Sequence, residues 1–175
     1  MERNQGLWKG ALLYGGILVV FLALGFTGLY LAGQHPVIMG RYLQFILPPA
    51  FAFLMLRVFK EQWNGGLLHF WEGMTMGFLY ALTIGIGTGF VAYIFVAWVD
   101  PELMVQWKAL LVEQTELQKQ KMGDDFSDTA YTTTLEAIQS ATPANIFQDW
   151  ILKMGGVGLF ATSFITIFMR KTEAR

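Results

Sequence analysis

An all-α fold of four transmembrane helices, with an extracytoplasmic helical hairpin between the third and fourth, is predicted by three features of this 175-residue sequence. Four stretches are apolar over lengths that suit a bilayer. Charged residues make up only 14% of the chain, against about 25% in an ordinary soluble domain. The one long polar connection carries apolar residues at helical spacing. A mean hydropathy of +0.44 points to lipid rather than water as the main solvent. A single membrane domain over 1–175 accommodates all of this.

A crossing helix needs about 20 mostly apolar residues. The first span, about 7–32, is interrupted only by Lys9. Its run outlasts the core of a signal peptide and ends without a small-x-small cleavage site, so it reads as a retained helix. The second, about 42–59, is shorter and contains Pro48 and Pro49, which remove two backbone donors and predict a break or kink. A gating hinge is the sharper reading of that pair. "KEQWNGGLLHFWEG" follows, with a turn signal at Asn64-Gly65-Gly66, and reads as a segment lying along the membrane surface. The third span, about 73–99, has no charge at all.

Residues 100–142 form the extracytoplasmic segment. Asp100 is placed as an N-cap with Pro101 at the first helical position, where its missing N–H costs nothing. Leu103, Trp107, Leu110, Leu111 and Leu117 then recur at helical spacing and define one apolar face. That face either packs on its own partner helix or the membrane surface, or docks another protein. Gly123 ends this helix, and Thr133 and Glu136 have capping-box spacing for a second, short one. "GDDFSD" lacks the ligand pattern of a calcium loop and reads as a solvated turn. The fourth span, about 147–169, is preceded by Thr142 as N-cap and Pro143 as first helical residue. Lys153, in its first turns, can snorkel to the interface.

Basic residues near span ends set orientation. Arg3, Lys9, Arg57, Lys60, Arg170, Lys171 and Arg175 fall on one side, against Arg41 in the first connection and Lys108, Lys119 and Lys121 among many acids in the long third one. Both termini are therefore expected to be cytoplasmic. Trp8, Trp63 and Trp71 would lie at the inner interface, with Trp98 and Trp150 at the outer one.

Within the third span, "GMTMGFLYALTIGIGTG" places Gly73, Gly77, Ala81, Gly85 and Gly89 four residues apart. Each step advances about 40° beyond a full turn, so the five form a shallow ridge on one face. Small residues let helix backbones approach closely in lipid, where apolar contact alone gives little drive to associate. The stripe thus reads as a packing seam against the first or fourth span, or against another chain. Even spacing speaks against a hinge. No strand precedes it and no lysine follows, so it is not a nucleotide loop.

Few residues carry chemistry. No cysteine is present, which excludes disulfides and thiolate catalysis. A net charge of −1 offers no basic face for nucleic acid. Polar groups at depth, Gln44, Thr83, Thr88, Thr162, Ser163 and Thr166, read as hydrogen bonds within or between helices. His35 and His69 fall on opposite sides of the membrane and cannot share a metal. His69 and Glu72, spaced i, i+3, suit an interfacial hydrogen bond, with an inner-interface enzyme site as a further reading. No cofactor and no metal site is expected.

The third span with its exit, "FWEGMTMGFLYALTIGIGTGFVAYIFVAWVDPELMVQW", and the closing "GGVGLFATSFITIFMRK" resemble the bacterial family of small four-span membrane proteins called domain of unknown function 4199. The resemblance implies a multi-pass inner-membrane protein of bacteria and brings no activity with it. The expected function is therefore non-enzymatic: an accessory or scaffold subunit of a membrane protein complex, with a membrane protein or a second copy as partner. The alternative is a small oligomeric transporter or channel for an apolar or lipid-like substrate.

Overall fold

The computed structural model describes residues 2–40, 43–123 and 127–172, with the side chains of residues 2–5, 43 and 44 excepted. Arg41, Tyr42, Asp124, Asp125 and Arg175, used above for orientation, a span boundary and the acidic turn, lie outside the described residues, as do the side chains of Arg3 and Gln44. The fold is all-α. Helix α1 covers Glu2–Leu31, α2 Pro36–Met39, α3 Leu43–Val58, α4 Phe70–Ile94, α5 Glu102–Met122, α6 Asp128–Ser140 and α7 Pro143–Met169. Helix α3 continues as a π-helical turn at Phe59–Trp63, and α4 as another at Phe95–Val99. The described residues form no strand, only an isolated bridge between Leu68 and Lys171.

Three helical segments, Gly6–Leu31, Phe70–Val99 and Pro143–Met169, are long and apolar enough to cross a membrane. The expected second span is shorter: α3 has 16 residues before its π-helical turn. Its prolines do not break it. Helix α3 runs through both Pro48 and Pro49, because the donors they lack would have served only the carbonyls of residues 44 and 45, in the helix's first turn. The buried Tyr80 hydroxyl of α4 donates to the Pro48 carbonyl at 2.9 Å, which ties this stretch to the bundle centre. The surface-lying segment expected after it is replaced by the π-helical turn to Trp63 and a tight reversal. Gly65 and Gly66 take φ of 58° and 83°, left-handed values that need glycine.

The four long helices follow one another around the bundle in the order α1, α4, α7, α3, and α3 also touches α4 across it. Leu18, Leu22, Phe26, Met55, Phe59, Met76, Tyr80, Ile84 and Met154 fill the interior. Many large apolar side chains point outward, among them Val20, Leu24, Phe90, Leu152 and Phe160. Such a surface suits lipid, not water. Trp8, Trp63, Trp71 and Trp98 are among these exposed side chains, but Trp150 is not. It packs edge-on against Phe26, with ring centroids 5.0 Å apart, so it belongs to the core and not to an aromatic belt.

Beyond the end of α4, Asp100 Oδ1 accepts from the Glu102 N–H and helps start α5. Helices α5 and α6 lie against each other, with Lys108 donating to the Gln139 carbonyl at 2.7 Å and Lys119 to Asp128 at 2.8 Å. Helix α6 begins earlier than the Thr133–Glu136 spacing suggests. Ser127 accepts from Ala130 as its N-cap, and Thr133 sits inside the helix, donating to the Thr129 carbonyl. Thr142 and Asn145 form the box that starts α7.

Candidate functional site

The glycine stripe of α4 is met, within this chain, by α7. A Cβ at Gly73 would run into Thr166 and one at Gly77 into Thr162. At Gly85 it would come 3.1 Å from the Ile151 carbonyl oxygen, and at Gly89 2.9 Å from that of Phe147. Ala81, the one side chain in the row, lies beside Gly158. The two threonines can press on glycine because their hydroxyls are already used: Thr162 donates to the Gly158 carbonyl and Thr166 to that of Thr162. Thr83 and Thr88 likewise bond carbonyls of their own helix. Gly87 and Gly15, outside the stripe, receive Val19 and Thr83 where α1 crosses α4. The notches at Gly73, Gly77, Gly85 and Gly89 are therefore filled by α7 of the same chain.

At the opposite faces of the bundle the two histidines are held in different ways. His35 caps α2, accepting from the Ile38 N–H, and its other ring nitrogen lies 3.0 Å from the Leu103 carbonyl. It thus fastens the α1–α3 connection to the start of α5. His69 is the N-cap of α4. The Glu72 carboxylate, nearly buried, accepts from the His69 backbone N–H at 2.8 Å and from Asn64 Nδ2 at 3.0 Å, beside the His69 ring at 3.1 Å. This is a capping box in which one carboxylate organises the turn before α4. Lys60 donates to the Met169 carbonyl nearby.

A different place has the shape of a binding site. Between α5 and α7, where the α1–α3 connection approaches them, lies a cavity of about 390 Å³. Helix α5 lines it with Trp107, Leu110, Leu111 and Gln114, one face repeating at i, i+3, i+4 and i+7. From α7 come Asp149, Trp150 and Lys153, and Val37, Ile38 and Phe45 close the remaining side. Lys153 donates to Asp149 at 2.6 Å, a pair one helical turn apart. The site therefore combines an apolar wall, two indole rings, one carboxylate and one ammonium. It can hold an amphiphile.

The five residues marked for partner docking are divided by this arrangement. Leu103 is buried in the core, Trp107, Leu110 and Leu111 line the cavity, and Leu117 is exposed near the far end of α5. Asp149, Gln114, Phe45, Val37 and Ile38 escaped the sequence reading. The i, i+4 spacing of Asp149 and Lys153 was a visible signal; the closure by α2 and α3 depends on tertiary packing and had none. Farther out, the Lys119 hydrogen bond and then its charge hold the exposed Asp128 carboxyl below its ordinary value of 3.8.

The family model described as "Protein of unknown function (DUF4199)" matches residues 13–171. No curated protein and no solved structure matches the chain.

Proposed function

We propose that this chain, which belongs to the DUF4199 family of proteins of unknown function, is a non-enzymatic accessory or scaffold subunit of a bacterial inner-membrane complex. In this reading it crosses the bilayer four times. Helix α3 and its π-helical continuation run together from 43 to 63, about 30 Å of helix and enough for a hydrocarbon core. Both termini are cytoplasmic, and α5 with α6 forms an extracytoplasmic hairpin. A membrane protein or a second copy is the partner; nucleic acid is not.

The observation that carries this reading is the pairing of α5 with α6, which contact each other more than they contact the long helices of the bundle. Helix α5 is 21 residues long, about 30 Å, and of the helices it packs most on α6. Leu117 and Met122 are exposed there, outside any stretch that lipid would cover. Exposed apolar side chains on a paired helix are what a docking element needs. The close pairing of His69 with Glu72, the one arrangement that suggested an enzyme, is occupied in capping α4.

Affinity extraction in mild detergent from cells at native expression tests the proposal. A stoichiometric membrane protein should be recovered with the wild type and lost with the Leu117→Asp, Met122→Asp double variant. Recovery of the same partner with both proteins would remove α5 from the interface. A second reading, a small oligomeric transporter or channel for a lipid-like substrate, is favoured by the amphipathic cavity. It predicts lipid movement between leaflets of reconstituted vesicles.

A further inference from the structure

We infer that the cavity between α5 and α7 is a binding site for the headgroup of a zwitterionic phospholipid, with its ammonium at Asp149 and its phosphate at Lys153. The inference rests on the four-span reading, which puts the start of α7 at a leaflet surface. Helix α7 enters the bundle from that surface, so Asp149 lies nearer water and Lys153 one turn, about 6 Å, deeper. A phospholipid in a leaflet presents its groups in the matching order: ammonium outermost, phosphate beneath it, acyl chains below. The two side chains thus read the headgroup from the water side inward.

Charge balance selects the lipid class. The lining carries one carboxylate and one ammonium, so an anionic headgroup would meet Asp149 uncompensated while a zwitterion satisfies both. The two side chains neutralise each other at 2.6 Å. Both are partly exposed, at 34% for Asp149 and 59% for Lys153, and such solvent-accessible pairs contribute little. Exchanging each partner for the opposite charge of the ligand is therefore cheap.

The remaining walls suit the rest of the molecule. Trp107 supplies an aromatic face for the ammonium, and Gln114 an amide for phosphate or ester oxygens. Phe45, 68% exposed on α3, marks the outward path for an acyl chain along the apolar surface. The volume of about 390 Å³ falls within the range of small-ligand pockets and takes a headgroup while leaving the chains in the bilayer.

Native mass spectrometry of the full chain, released from nanodiscs of equal parts phosphatidylethanolamine and phosphatidylglycerol, tests the assignment. One phosphatidylethanolamine should be retained per chain in preference to phosphatidylglycerol. Asp149→Asn should weaken that preference by about tenfold, as loss of one charged hydrogen bond implies, and Asp149→Lys should turn it toward phosphatidylglycerol. Helix content by circular dichroism confirms that each variant is folded, and Leu152→Ala, on the exposed side of α7, should leave the preference intact. Equal retention of both lipids by the wild type, or a preference indifferent to Asp149→Lys in folded protein, overturns the inference. So does displacement of the bound lipid by soluble glycerophosphoethanolamine, which would show a site for the free headgroup. Failure of the protein to enter nanodiscs would overturn the membrane reading beneath it, a separate and visible outcome.

Discussion

At the scale of single residues, glycine does two opposite jobs in this chain, and the same substitution should expose both. Gly77→Ala puts a methyl group into Thr162, whose β-branched side chain is stiff and already bonded to its own helix. We expect destabilisation by about 1–3 kcal/mol, the usual cost of overpacking. Gly156, on the same seam helix but with nothing within 4 Å of an added Cβ, should instead gain up to about 1 kcal/mol from better helix propensity when changed to alanine. Reversible unfolding in mixed micelles, followed by circular dichroism, gives both values; equal effects at the two sites would refute the seam geometry. Periodicity was sufficient to mark Gly73, Gly77, Gly85 and Gly89, because small residues four apart necessarily share a face. It could not say that Thr162 and Thr166 would fill the notches. That depends on the antiparallel register of α7, which no local pattern encodes. Trp150 failed for the related reason that depth along a helix does not tell which way its face is turned.

For the elements, spans were legible and their boundaries less so. Apolar runs revealed α1, α4 and α7 because lipid demands continuous apolar surface. Pro48 and Pro49 misled, since the tertiary bond from Tyr80 and their place near the helix start make them tolerable. The start of α6 was missed because Ser127 supplies an earlier cap than Thr133. The pairing of α5 with α6 leads to a pH prediction. The folded pKa of Asp128 is depressed, so its bond to Lys119 is present at neutral pH and is lost only as pH falls below the ordinary carboxylate range. The carboxyl carbon of Asp128, followed by NMR, should titrate at lower pH than in Lys119→Met. Coincident midpoints would remove Lys119 as the cause. Because Asp128 is fully exposed, little global stability rides on it.

Across the whole molecule, the absence of cysteine makes topology directly measurable. Single cysteines at Gln62 and Gln120, both exposed, should react with a membrane-impermeant maleimide from opposite sides of the bilayer. Labelling of both from one side would overturn the four-span arrangement. The class of the molecule was readable from composition, while the cavity was not, because its wall is assembled from α2, α3, α5 and α7, residues more than a hundred positions apart. The threonine-in-glycine fit between α4 and α7 also decides which parts of the protein can move. Two antiparallel rods keyed at four-residue intervals cannot slide by small amounts, since any shift short of a full notch, about 6 Å, drives threonine or backbone into a side chain. They behave as one mast. Helix α1 shares the device where Val19 meets Gly87 and Thr83 meets Gly15, whereas among the described residues no α3 side chain seats against a glycine of α4 or α7; any breathing of the bundle, whether to admit a lipid or to answer a partner, should therefore begin at α3.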